Sequence, residues 1–108
     1  MSFSVQRWTR SEPPNASELR RVLASEGYSV FELSDAPGTT YDPHAHDDDQ
    51  SHWIISGALQ LTVAGEAYTL NAGDRDFLPA NTTHAAFVPG STPVRYLIGA
   101  KVVSKISR

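Results

Sequence analysis

The stretch PHAHDDDQSHWIISG, Pro43 to Gly57, gathers three of the chain's four histidines, three aspartates and one glutamine. His44 and His46 stand two apart. Along an extended strand such side chains project from one face, close enough for one metal ion to bridge both imidazoles. Neutral imidazole suits Zn, Fe, Ni, Cu or Mn. The chain has no cysteine, so there is no thiolate ligand, thiol nucleophile or disulfide, and any metal must be held by nitrogen and oxygen. The same histidine pair has a plainer explanation as two surface groups that titrate near neutral pH, and spacing alone does not choose between them.

Asp47, Asp48 and Asp49 add oxygen donors, although an acidic run between strands is more often a solvated loop. If that run makes a tight loop or bulge, the next strand begins near Gln50. Gln50, His52 and Ile54 then share one face, and Ser51, Trp53 and Ile55 the other, one face wet and one dry. His52 has three readings: a buried partner of a ligand, a general acid or base, or a histidine satisfied by a backbone carbonyl. Trp53 belongs to the core or to a dimer interface. His84 follows a Pro-Ala-Asn-Thr-Thr turn and opens a later strand, from which it could close a coordination sphere from across a barrel.

The elements that must position these residues can be read from period and punctuation. SEPPNASELRRVLASEG reads as a short helix, with Asn15 as N-cap, Glu18 completing a capping box, Leu19, Val22 and Leu23 at helical spacing, and Gly27 as stop. After Gly27 the period becomes two, through YSVFELS, WIISG, ALQLTVAG, EAYTL and PVRYLIGAKVV, with Gly, Pro, Asn or Asp between the runs. Short strands at this spacing predict an all-β sandwich or barrel with one amino-terminal helix. Leu59, Leu61 and Val63 run into Gly65-Glu66 and the alternation resumes at Tyr68 and Leu70, a hairpin signal whose second arm ends at Gly73-Asp74. FSVQRWT is expected as an edge strand, which in a small β protein is often covered by a second copy of the chain.

At 108 residues the chain is expected to be a single domain, 1–108, built on one core. A formal charge of −3 and scattered basic residues (Arg20, Arg21, Lys101, Lys105, Arg108) argue against nucleic-acid binding. No apolar run approaches the ~20 residues of a membrane span, and Met1 to Arg10 lacks the features of a secretory signal, so a cytoplasmic location is expected.

With these positions laid out, the chain resembles the cupin superfamily of small double-stranded β-helix, or jelly-roll, proteins. The first cupin motif is a glycine, five residues, H-x-H, three or four residues, a glutamate, six residues and a glycine. Gly38, His44, His46, Gln50 and Gly57 fall in those places. The second is a glycine, five residues, proline, any residue, glycine, two residues, histidine, three residues and asparagine. Gly73, Pro79, Asn81 and His84 match that spacing, with Val88 where the asparagine would stand. The two motifs span 38–57 and 73–88. Asn81 for glycine is a mild departure, because Asn tolerates the left-handed conformation of a turn glycine. Val88 removes a structural polar group. Gln50 for glutamate bears on chemistry: a glutamate leaves a divalent centre with net charge near +1, whereas glutamine leaves it near +2, which favours polarisation over a trivalent redox state unless neighbouring groups offset the charge.

The resemblance implies His44, His46, Gln50 and His84 as ligands of a divalent transition metal (Mn, Fe, Ni or Zn). The set is similar to that of cupins with three histidines and a glutamine, among them manganese-dependent hydroxynitrile lyases. The function expected is a non-redox lyase, isomerase or hydrolase acting on a small oxygenated molecule, with His52 as the catalytic base. An Fe(II) dioxygenase and a non-catalytic small-ligand-binding cupin are the alternatives. A small-molecule substrate and a homodimer are the expected partners, with no nucleic acid and no membrane.

Overall fold

The computed structural model of the chain describes residues 2–102. Val103, the last residue of the expected carboxy-terminal strand, and Lys105 and Arg108 of the basic set lie outside the described residues. The elements run β1 (Ser4–Gln6), α1 (Ala16–Ser25), β2 (Ser29–Asp35), β3 (Thr40–His44), β4 (Asp48–Ser56), β5 (Ala58–Val63), β6 (Glu66–Asn71), β7 (Arg75–Phe77), β8 (His84–Phe87) and β9 (Val94–Val102). They form two antiparallel sheets, one in the order β1-β7-β4-β9-β2 and the other β3-β8-β5-β6. This is the all-β double-stranded β-helix with one short amino-terminal helix that the sequence predicts.

The helix forms where its signals lie. The Asn15 side chain accepts from the Glu18 backbone N–H (3.0 Å), capping one of the otherwise unpaired amides of the first turn. Gly27, at φ +96°, turns the chain out into β2. Leu19 and Leu23 are fully buried against Trp53, Ile55 and Leu97, so α1 lies on the outer face of the five-stranded sheet. Burying one leucine there contributes about 2 kcal/mol. The opposite side chains of the same strands, Ile54 and Tyr96, join Leu59, Leu61, Leu70, Val88 and Val94 in the core between the sheets.

That double burial corrects the expectation of one wet and one dry face on β4. Residues 51 to 55 are all buried, because the helix covers one face and the second sheet the other. Trp53 is therefore core, with its indole N–H donating to the Gly73 carbonyl (2.8 Å). The aspartate run is also not a loop throughout: only Asp47 sits in a bend, while Asp48 and Asp49 already pair with Val102 and Lys101. The hairpin turn falls on Ala64-Gly65, at φ 52° and 80°, one residue before the pair expected, which is the double left-handed geometry of a two-residue hairpin turn. The amino-terminal strand is an edge strand as expected, paired with β7. Val88 is completely buried, so an apolar residue there has joined the core.

Candidate metal centre and its cavity

The fold converges its histidines on one end of the space between the sheets. β3 carries a register irregularity between Tyr41 and His44, after which His44 stands directly opposite His84 on β8. His84 thus meets His44 from the neighbouring strand of the same sheet rather than from across the barrel. His46 lies just beyond β3, and its carbonyl accepts from the Asn81 backbone N–H (2.6 Å). Asn81 has φ 63°, the left-handed conformation expected of it, so the turn before His84 is tied to the segment bearing His46. Ring centroids lie 4.8 Å apart for His44 and His46, 4.3 Å for His44 and His84, and 5.3 Å for His46 and His84. One nitrogen from each ring falls within 4.8 Å of the others.

The donor chemistry fits a cation. His44 Nδ1 donates to the Asp42 carbonyl (2.6 Å) and His84 Nδ1 to that of Thr82 (2.9 Å). Each ring is thereby fixed in the tautomer that leaves Nε2 with a free lone pair, as second-sphere bonds do for metal-binding imidazoles. Burial pushes the His84 imidazole toward the neutral, ligand-competent form; its bond to Thr82 works the other way, and the neighbouring imidazoles add to the lowering.

Gln50 comes from the opposite sheet, where its backbone exchanges two hydrogen bonds with Leu78 (2.8 Å each). Its side chain lines the same cavity as the three histidines. Its amide nitrogen donates to Asp48 Oδ1 (3.2 Å), which leaves Oε1 available to a cation. The bond also places a carboxylate behind the neutral amide, returning part of the negative charge that a glutamate would have brought.

His52 lies outside the three-histidine group but on the same cavity wall, its ring centroid 6.3 Å from that of His84. It is 6% exposed. Its Nδ1 donates to Asp76 Oδ2 (2.9 Å), and its backbone N–H donates to Oδ1 of the same carboxylate. Burial alone would depress the imidazole's proton affinity, but the charge and hydrogen bonds of Asp76 outweigh it and raise the pKa above its ordinary value. Of the three readings of His52, the backbone-carbonyl one is replaced: its partner is a buried carboxylate.

Sequence reasoning missed Asp76 and the network behind it. Arg75, 3% exposed, lies between the rings of Trp53 and Phe77 (4.2 and 4.3 Å) and pairs with Glu26 at the end of the helix (2.9 Å). Its Nε donates to Ser51 Oγ (3.1 Å), and Ser51 Oγ donates to the Asp76 carbonyl (2.6 Å). These contacts hold β7 against β4 so that the next carboxylate reaches His52. The only sequence signal was the alternation of RDF after the Gly73-Asp74 turn, too short to register as a strand.

The cavity measures about 290 Å³, at the lower end of small-molecule sites. Aliphatic Leu33, Leu59, Ala86 and Ile98 complete a wall that also holds Tyr41 and Tyr96. The Tyr96 ring sits 6.1 Å from that of His52.

A family model described as a cupin domain (Cupin_2) matches residues 31–99. Over 77 residues, 70% of this chain, the sequence is 29% identical to a mannose-1-phosphate guanylyltransferase of Salmonella typhimurium, of which the match covers 16%. It is 34% identical over 59 residues to quercetin 2,3-dioxygenase of Bacillus subtilis, covering 54% of this chain and 18% of that protein. The chain thus spans less than a fifth of the length of these relatives. Among solved structures, a cupin 2 domain-containing protein from Halorhodospira halophila superposes with a TM-score of 0.72 at 14% identity, covering 95% of this chain and 77% of that one. The DMSP lyase DddQ from Ruegeria pomeroyi superposes at 0.63 with 20% identity, covering 72% and 40%.

Proposed function

For a chain that belongs to the cupin family, we propose the role of a small metal-dependent enzyme without redox turnover, a lyase, isomerase or hydrolase acting on a small oxygenated molecule in the cytoplasm. His44, His46, Gln50 and His84 would hold a divalent transition metal, Mn, Fe, Ni or Zn. When bound, that ion supplies Lewis-acid polarisation of a substrate hydroxyl or carbonyl. The observation that carries the reading is the buried pair of Asp76 with His52, of which His52 lines the same cavity. Asp76 fixes the Nδ1–H tautomer, so Nε2 of His52 is the nitrogen left to take a substrate proton, while Asp76 stabilises the imidazolium that results. The burial of His52, 6% exposed, limits bulk water around the exchanging proton.

The likeness of 59 residues to quercetin 2,3-dioxygenase supports a second reading, iron-dependent oxygen chemistry, and Asp48 behind Gln50 narrows the charge difference between the two. Oxygen uptake by the iron-loaded protein with catechols, thiols and diketones separates them. Uptake coupled to product would overturn the non-redox reading, and product formed under argon would support it. Nucleotidyl transfer is not carried over from the guanylyltransferases, because this chain matches only 16% of such a protein.

A homodimer belongs to the same proposal. Strand β2 is a sheet edge, and Phe31 on it is 57% exposed, a surface a second copy would cover. Light scattering behind size exclusion should give twice the chain mass, and a single-chain mass would remove the dimer alone.

A further inference from the structure

Two phenols, Tyr41 and Tyr96, make a second polar end of the cavity, and both are held by Asp35, which is not itself in the lining. Its two carboxylate oxygens accept separate phenols, Tyr41 Oη at 3.0 Å and Tyr96 Oη at 2.8 Å. Both tyrosines line the cavity. A phenol whose proton is committed to a carboxylate has only acceptor capacity left for a ligand. Among the described residues, no lysine or arginine lines the cavity, and the one further group there able to carry positive charge outside the metal centre, His52, is already paired with Asp76. Burial and the Asp35 hydrogen bond both raise the Tyr96 pKa, which keeps the phenol protonated and bonded to Asp35.

We propose that this end selects ligands carrying a hydrogen-bond donor, a hydroxyl or an ammonium, and rejects those carrying a carboxylate or phosphate. The inference rests on the metal-centre reading for the other end of the ligand: an oxygen group goes to the imidazoles and a donor group to the phenols.

The test uses four three-carbon acids that share one carboxylate and differ at the far end: 3-hydroxypropionate, β-alanine, propionate and malonate. Their affinities are measured by NMR titration of the full chain, with and without manganese-analogous diamagnetic zinc. The hydroxyl or ammonium compound should bind roughly tenfold more tightly than propionate, the size of one good hydrogen bond, with malonate weakest. The order of the first two distinguishes a neutral from a cationic ligand. Asp35→Asn, whose amide can donate to the phenols and release their protons, should raise malonate relative to the others. Tyr41 is 39% exposed, so Tyr41→Phe should fold normally and reduce the preference. Equal binding of all four, an order led by malonate, or no binding by wild type would overturn the inference. The expected order persisting unchanged without zinc and in His84→Ala would instead overturn the metal-centre reading and leave this one standing.

Discussion

At the scale of residues, the centre divides into what local spacing reveals and what only folding assembles. His44, His46, Gln50 and His84 were legible because their intervals match two motifs, and the cavity brings all four together. Asp76 was not legible. It lies 24 residues from His52, and nothing in the intervening sequence marks the pairing of β4 with β7 that joins them. Because Asp76 is fully buried and satisfies two His52 N–H groups, Asp76→Ala should cost about 3 kcal/mol, the range for stranding a buried polar partner. Urea unfolding measures this. Asp76→Asn retains one acceptor and should cost less; equal stability of the alanine variant and wild type would show that the pair does not anchor β4 to β7.

At the scale of elements, the helix was readable end to end because its cap, apolar spacing and stop are all local. Asn15→Ala should therefore destabilise the protein by about 1 kcal/mol, seen as a lower urea midpoint with an unchanged slope. The strands were readable as strands, but their faces were not. Alternation cannot show that a helix covers the outer face of β4, because Leu19 and Leu23 reach it from some thirty residues earlier in the chain. The segment after β1 is fastened by Asp74, which accepts from the backbone N–H groups of Trp8 and Asn71 (both 2.9 Å) and pairs with Arg7 (2.9 Å). Burial alone would raise the Asp74 pKa, yet these bonds more than reverse it, and the net shift is downward. A depressed carboxylate pKa contributes stability that is present above the unfolded value, near 4, and is lost as pH falls through the folded one. Asp74→Asn should thus melt below wild type at pH 7, and the gap should close as the pH drops below about 4. A gap independent of pH would assign the effect to shape rather than charge.

At the scale of the whole molecule, the two sheets meet at the candidate centre from opposite sides. β3, its exit and β8 bring His44, His46 and His84, while β4 brings Gln50 and His52. An ion held by all four ligands would cross-link the sheets, so metal should stabilise the fold as well as equip it. At a hundredfold excess over Kd the gain is about 2.7 kcal/mol, and thermal melts with and without chelator should show it. The overall architecture was legible because turn signals and period-two runs repeat along the chain. The cavity chemistry was less so, since Asp35, Tyr41 and Tyr96 come together only when β2 and β3 pass from one sheet to the other. The central claim is tested most directly by metal content after equilibration with manganese, nickel or zinc and removal of excess. Wild type should retain about one ion per chain, while His44→Ala and His84→Ala retain almost none, as expected when a ligand is lost from a four-donor site. Equal retention by the variants, or none by wild type with any of the three metals, would contradict it.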